Sequence, residues 1–265
     1  MSQKLTIIFD LDGTLVETAP DLITAHNHVM SKYGFESKKS DDIKKLVGKG
    51  ASSLITRSVW GQAQENFRKI DNQALKKEMV SEFLDYYTKN ICVDSKIVNG
   101  AENFLKWCKN NKISLGVCTN KQDYLSVDLL KKLKINHFFE YIAGSNTFDY
   151  CKPDPRHLTN VIEIMQGDIK KSIMIGDSET DAETAKSAGV PFILLENGYT
   201  EKKTSEIHHD HLIKDFVGIE EITDFLFKDA IATEALSIIL FIAISTDFLF
   251  SFALSLDISA NFQAS

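Results

Sequence analysis

Cysteine and proline are scarce in this sequence, with 4 of each among 265 residues. The cysteines (Cys92, Cys108, Cys118 and Cys151) are scattered, with no Cys-x-x-Cys spacing. That speaks for reduced thiols in a cytoplasmic protein rather than a disulfide framework. No Pro/Ser-rich linker divides the chain and no internal repeat runs through it. An excess of positive charge is also missing: 30 Lys and Arg stand against 37 Asp and Glu, a formal net charge of -7. Nucleic-acid binders usually carry a basic footprint, so nucleic acid is set aside as a partner. The first apolar run is too short for a signal peptide and leads straight into two aspartates. What is present is ordinary for a soluble globular protein, 43% hydrophobic and 25% charged. The length suits one good-sized domain, or a core domain with a smaller insert.

The informative stretch is Phe9-Asp10-Leu11-Asp12-Gly13-Thr14-Leu15-Val16. Leu5 to Phe9 before it is apolar and β-branched, the pattern of a strand buried on both faces. Two carboxylates follow at once, where burial is costly unless something compensates the charge. In an open α/β sheet the carboxyl ends of the strands form the ligand crevice. Alone, Asp-x-Asp-Gly could be an acidic turn; later segments supply partners. Ile113 to Cys118 is a second apolar strand, ending in Thr119-Asn120-Lys121. Lys152-Pro153 precedes a helical pattern, and Ser172 to Ile175 is a third strand, ending in Gly176-Asp177-Ser178-Glu179-Thr180-Asp181. Each has a plainer reading: Thr119-Asn120 as a helix cap, Lys152 as a solvated lysine, Gly176-Asp177-Ser178 as a turn with an N-cap.

As an ordered set these segments resemble the haloacid dehalogenase superfamily. Its motifs are an Asp-x-Asp-x-Thr loop, a Ser or Thr at a strand end, a lysine, and Gly-Asp-x3-Asp. The resemblance covers roughly residues 4 to 227, with all four motifs intact. Val47-Gly48-Lys49-Gly50-Ala51, the segment after Gly176, Ala188 to Pro191 and Gly198-Tyr199 look most like the family's phosphoglycolate phosphatase branch.

Strand and helix patterns alternate in the flanking parts of the chain, which implies an α/β fold: a Rossmann-like parallel sheet with helices on both faces. Residues 16 to 95 instead carry apolar residues at helical spacing throughout, over Asp21 to Tyr33, Asp41 to Val47, Ala51 to Trp60 and Asn72 to Asn90. The expected organisation is a core of residues 1–15 and 96–228, an inserted all-helical cap at 16–95, and an apolar tail at 229–265. Further helices are expected over Ala101 to Asn110, Tyr124 to Lys134, from Pro155, Glu179 to Ala188 and Gly218 to Phe227. Strands are expected over Phe138 to Ala143, Pro191 to Leu195 and Leu212-Ile213.

Carboxylates converging on one crevice repel by about 4 kcal/mol per pair at about 4 Å and an effective dielectric near 20. A hard cation with oxygen ligands relieves this, and Mg²⁺ also binds substrate phosphate. The resemblance implies that Asp10 and Asp177 ligate Mg²⁺ by side chain and Asp12 by its carbonyl, with Asp181 orienting the metal shell. It further implies Asp10 as the nucleophile of an aspartyl-phosphate and Asp12 as general acid and base. Thr119, the amide of Asn120 and Lys152 would hold phosphate oxygens. The expected partner is a small phosphorylated metabolite, best matched by 2-phosphoglycolate. Gly48-Lys49-Gly50 would be the cap loop reaching the substrate, with Lys49 placed either for a small carboxylate or for solvent. A sugar-phosphate phosphatase or mutase and a pyrophosphatase are the rivals, and the mutase is disfavoured because no arginine lies between Gly48 and Ser53.

His208-His209-Asp210-His211 reads as a polar connection rather than a metal site. In the tail, Ala235 to Leu256 is very apolar apart from Asp247 and a few Ser and Thr. A non-spanning tail is the favoured expectation, against membrane contact through the tail. A membrane-tethered binding protein without turnover is the rival from another class. The oligomer is left as monomer or homodimer.

Overall fold

The computed structural model describes residues 4–61, 73–196, 198–229 and 232. Lys4–Phe9 forms β1, Ser114–Cys118 β4, Tyr141–Ala143 β5, Gly167–Gly176 β6, Phe192–Leu195 β7 and His211–Ile213 β8. They make one parallel sheet in the order β5-β4-β1-β6-β7-β8. The first strand of the chain therefore lies in the middle, flanked by the two strands whose ends carry the other motifs. Its apolar residues are buried on both faces. Ile8 packs with Leu158, Val161 and Ala185 in one core cluster. The next residue, Phe9, meets Phe104, Phe139 and Phe216 at 6.2 Å between ring centroids.

Four helices cover the sheet: α5 (Ala101–Asn110), α6 (Asp123–Lys132), α7 (Pro155–Ile164) and α8 (Glu179–Ala188). Pro155 stands in the first turn of α7, where its missing N–H costs nothing. Residues 219–229 are helical as well.

Between the first two core strands lie α1 (Ala19–Lys32), α2 (Ser40–Lys44), α3 (Ala51–Trp60) and α4 (Gln73–Lys89). Helix α4 packs on α1 and α3. A two-stranded antiparallel ribbon, β2 (Val16–Glu17) with β3 (Lys96–Ile97), joins the chain where this helical segment departs and returns. The buried Asp21 carboxylate fastens the same junction: it accepts from the amides of Val93, Asp94 and Ser95 at 3.1, 3.0 and 2.9 Å.

Three expectations need adjustment. The strand expected from Phe138 covers only Tyr141–Ala143, and Asn136–Phe138 is a 3₁₀ turn. Phe139 is drawn inward by its edge contact with Phe9. Strand β6 begins at Gly167, earlier than its apolar run, because Gly167 pairs with Lys4 and a register shift then carries the pairing on to Thr6 with Ser172. Helix α2 stops at Lys44 rather than Val47. All four cysteines are free. Among the described residues no helix is long and apolar enough to cross a membrane. The non-spanning tail expected over 229–265 lies, apart from residues 229 and 232, outside the described residues.

Candidate active site

The register of the sheet assembles the site. Phe9 pairs with Ile175 on one side and Val117 on the other. The residues that follow therefore emerge side by side: Asp10 from β1, Asp177 after β6, Thr119 after β4. The Asp10 amide donates to the Ile175 carbonyl at 2.9 Å, which closes the gap between the first two. Asp181 joins from the first turn of α8, where Ser178 caps the helix and the Asp181 carboxylate returns the bond in a capping box. Oxygens of Asp10, Asp177 and Asp181 lie within 4.8 Å of one another, and all three residues are buried.

Lys152 stands among these carboxylates, its Nζ 2.8 Å from Asp10 Oδ1 and 2.5 Å from Asp181 Oδ1. Burial works against its charge, but Asp10 and Asp181 outweigh that and hold the ammonium above its ordinary range. His157 Nδ1 accepts from the Lys152 amide at 3.2 Å. Burial and the nearby Lys152 charge bring that imidazole down to about 4, so it stays neutral.

One ammonium does not balance the acids. Burial is the main reason the Asp10 carboxyl is pushed up to about 6; Lys152 opposes this and the charges of Asp181 and Asp12 add to it. Burial also raises Asp177 well above the ordinary range, helped by Asp181 and Asp10. Such a set of hard oxygen donors fits a divalent cation. Asp177 and Asp181 are both anchored through their two oxygens. Asp177 is held by Thr14 Oγ1 at 2.7 Å and the Tyr199 amide at 2.6 Å. Asp181 Oδ2 accepts from the amides of Asp177 and Ser178 at 3.2 and 3.1 Å and from Ser178 Oγ at 2.7 Å. With Oδ1 on Lys152, Asp181 is committed to orienting its neighbours. Gly13 makes room for the cluster: it sits at φ +86°, and a Cβ there would lie 2.3 Å from Asp177 Oδ2.

The Asp12 side chain turns away from this cluster. Its oxygens accept from Lys121 Nζ at 2.9 and 3.1 Å, and the same ammonium donates to Tyr87 Oη at 2.8 Å. Asn120 links the motifs to the helical segment, its Nδ2 donating to the carbonyls of Gly48 and Lys152 at 3.1 and 3.0 Å. Gly50, at φ +82°, brings its backbone close to Asn120, whose carbonyl a Cβ would meet at 3.4 Å. A pocket of about 250 Å³ opens here, lined from the sheet side by Asp10, Asp12, Thr119, Asn120 and Lys121 and from the helical segment by the loop Gly48-Lys49-Gly50 and by Tyr87 of α4. Every expected site residue but three lines it; Lys152, Asp177 and Asp181 lie behind Asp10. Arg57 is not in its wall: it is buried against the Leu46 carbonyl at 3.5 Å and ion-paired with Glu201.

Sequence reading missed Lys121, Tyr87 and the side chain of Tyr199. Tyr199 Oη accepts from the amides of Thr18 and Ala19 at 2.9 and 2.8 Å and donates to Glu17 Oε1 at 2.8 Å. One residue thus holds Asp177 by its backbone and the start of α1 by its side chain. The only signals were the lysine directly after Thr119-Asn120 and the Gly198-Tyr199 pair.

Comparisons with known proteins agree with this geometry. The family model described as haloacid dehalogenase-like hydrolase matches residues 7–195. The chain is 36% identical over 210 residues to a phosphoglycolate phosphatase of Mesorhizobium japonicum, covering 79% of this chain and 90% of that one. It is 37% identical over 214 residues to a phosphoglycolate phosphatase of Caulobacter vibrioides, covering 81% and 88%. The crystal structure of a predicted phosphoglycolate phosphatase from Haemophilus somnus superposes with a TM-score of 0.77 at 27% identity, over 84% of this chain and 99% of that one.

Proposed function

The chain belongs to the haloacid dehalogenase-like hydrolase family, and from that membership we propose a Mg²⁺-dependent phosphatase that converts 2-phosphoglycolate to glycolate and phosphate through a phosphorylated Asp10. As a phosphoric monoester hydrolase it acts on a small phosphorylated substrate. The observation that carries the finer reading is the meeting of Asp10, Asp177, Asp181 and Lys152 behind a small pocket. The names of the relatives at 36% and 37% identity support the substrate.

In this reading Asp10, Asp177 and the Asp12 carbonyl hold Mg²⁺, with Asp181 orienting them. When bound, the cation neutralises charge on the acids and on the phosphate oxygens. Asp10 attacks phosphorus in line with the leaving oxygen, which takes its proton from Asp12. Asp12 then removes a proton from water, the water attacks phosphorus, and phosphate leaves with Asp10 restored. Thr119, the Asn120 amide and Lys152 hold the equatorial oxygens. Residues 16–95 act as a cap on the core of 1–15 and 96–228, with Gly48-Lys49-Gly50 closing the pocket and Lys49 at its rim. The free thiols and acidic charge suit a cytoplasmic enzyme. A mutase is disfavoured because Arg57, the arginine nearest the cap loop in sequence, is held outside the pocket. The test is phosphate release from 2-phosphoglycolate, sugar phosphates and pyrophosphate, with and without Mg²⁺. Fastest Mg²⁺-dependent release from 2-phosphoglycolate is expected, and faster pyrophosphate cleavage would refute the substrate.

A pH signature accompanies the metal. Asp10 holds its proton more tightly in the fold than in the unfolded chain, its carboxyl lying at about 6 instead of 3.8. Its contribution to stability is therefore full below the unfolded value and is lost as pH rises through about 6. Mg²⁺ competes with that proton. Saturating Mg²⁺ is expected to raise the melting temperature by about 5 °C at about pH 7.5 and far less at about pH 5. Equal shifts at the two pH values in a thermal melt would contradict the assignment.

A further inference from the structure

The phosphatase reading leaves one wall of the pocket without a role, that of Lys121 and Tyr87. Both line the pocket and both are buried, Lys121 8% and Tyr87 1% exposed. Lys121 Nζ lies 2.8 Å from Tyr87 Oη and 4.5 Å from the centroid of its ring. A buried ammonium is retained only against anions or strong dipoles. Because Tyr87 Oη accepts from Lys121, its own proton is left to donate. Burial, with the nearby Asp12 charge, keeps that phenol protonated far above neutral pH. The two groups thus present an ammonium and a hydroxyl donor to the same space, in a pocket that Val80, Phe83, Leu84 and Leu125 also line. An apolar pocket with a few convergent donors is built to select a ligand carrying an acceptor at that point.

Their position specifies which acceptor. Asp12, 2.9 Å from Lys121 Nζ, is the group proposed to protonate the leaving oxygen. In a two-carbon leaving group a carboxylate lies one carbon from that oxygen, so it must come to rest near Asp12. Lys49, by contrast, is exposed at the rim. We propose that Lys121 Nζ and Tyr87 Oη form the subsite that takes the carboxylate of the leaving group, and so set the preference for α-phosphoryloxy carboxylates. This rests on the phosphatase reading. One ammonium hydrogen stays on Asp12 while another, with the Tyr87 hydroxyl, turns to the substrate. A residue of the helical segment and one of the core then read the same carboxylate.

The test compares kcat/KM for 2-phosphoglycolate with that for ethyl phosphate, which has the same two-carbon chain and lacks the carboxylate oxygens. The wild-type ratio is expected to be about 100 or more, since donors left unpaired by the wrong substrate discriminate strongly. Lys121→Met should cut that ratio by about 30-fold, mainly through KM for 2-phosphoglycolate, Lys121→Arg should keep part of it, and Tyr87→Phe should cut it by about 5-fold. A wild-type ratio near one would overturn the carboxylate substrate and the subsite together. A high wild-type ratio that survives in Lys121→Met would overturn the subsite alone, because a lysine that only positions Asp12 slows both substrates equally. Should Lys121→Met lose its native circular dichroism, Tyr87→Phe decides, and an unchanged ratio there overturns the subsite.

Discussion

Asp10→Asn is expected to lose turnover by about 10⁵-fold or more while keeping its melting temperature or raising it. The two halves of that result have one cause. Asp10 is the carboxylate between Lys152 and the pocket, and no other acid of the buried cluster lines the pocket wall. Asp177 is fixed by Thr14 and Tyr199, and Asp181 by Ser178 and Lys152. Neither can replace Asp10 as nucleophile, so the loss should be close to complete. An amide has the same shape and no charge, and it removes one of the buried acids whose repulsion the fold bears. Metal-free protein therefore gains or holds stability, since the desolvation that pushes Asp10 up to about 6 no longer applies. Phosphate release and a thermal melt on the same preparation check both. Loss of activity together with unfolding would leave the nucleophile assignment without support from this variant, and substantial activity would refute it.

Lys152→Met should have the second-largest effect and the opposite sign in stability. It removes the ammonium that lies within 2.8 Å of Asp10 and 2.5 Å of Asp181 and leaves both carboxylates buried without it. Breaking a buried pair from one side costs about 3 kcal/mol or more. Activity should fall by about 10³-fold, the usual scale for losing a charged contact to the transferring group. Methionine fills the same volume, so the loss reports charge rather than a cavity. The variant has a further signature: because a divalent cation can take over part of the compensation, Mg²⁺ should rescue its melting temperature more than that of the wild type. Denaturant unfolding with and without Mg²⁺ measures this, and a variant as stable as wild type without metal would contradict the electrostatic role of Lys152.

Much of this was legible in the sequence because it is carried by local patterns. The apolar runs of β1, β4 and β6 each end directly in a motif, and parallel pairing turns that shared position into a shared place. The departure from strand periodicity between Val16 and Ser95 marked the helical segment for the same reason. Strands β2 and β3 were not legible, since two residues carry no periodicity. The start of β6 was hidden because Gly167, which pairs with Lys4, is separated from the apolar run by the residues of a register shift. Lys121 and Tyr87 escaped for a different reason. Their meeting with Asp12 joins positions 109 and 34 residues apart, and the helical spacing of Tyr87 reads equally well as ordinary core. Tyr199 shows the same limit, because it acts on Asp177 through a main-chain amide that any residue but proline possesses.

What the proposal finally requires is a phosphoryl group on one named oxygen pair. The direct measurement is to quench the enzyme with acid during turnover of 2-phosphoglycolate, reduce any acyl phosphate with borohydride, and map the modified peptide by mass spectrometry. Modification of Asp10 alone, dependent on Mg²⁺, is the expected result. Turnover at full rate with Asp10 unmodified, or with the label on another residue, would contradict it.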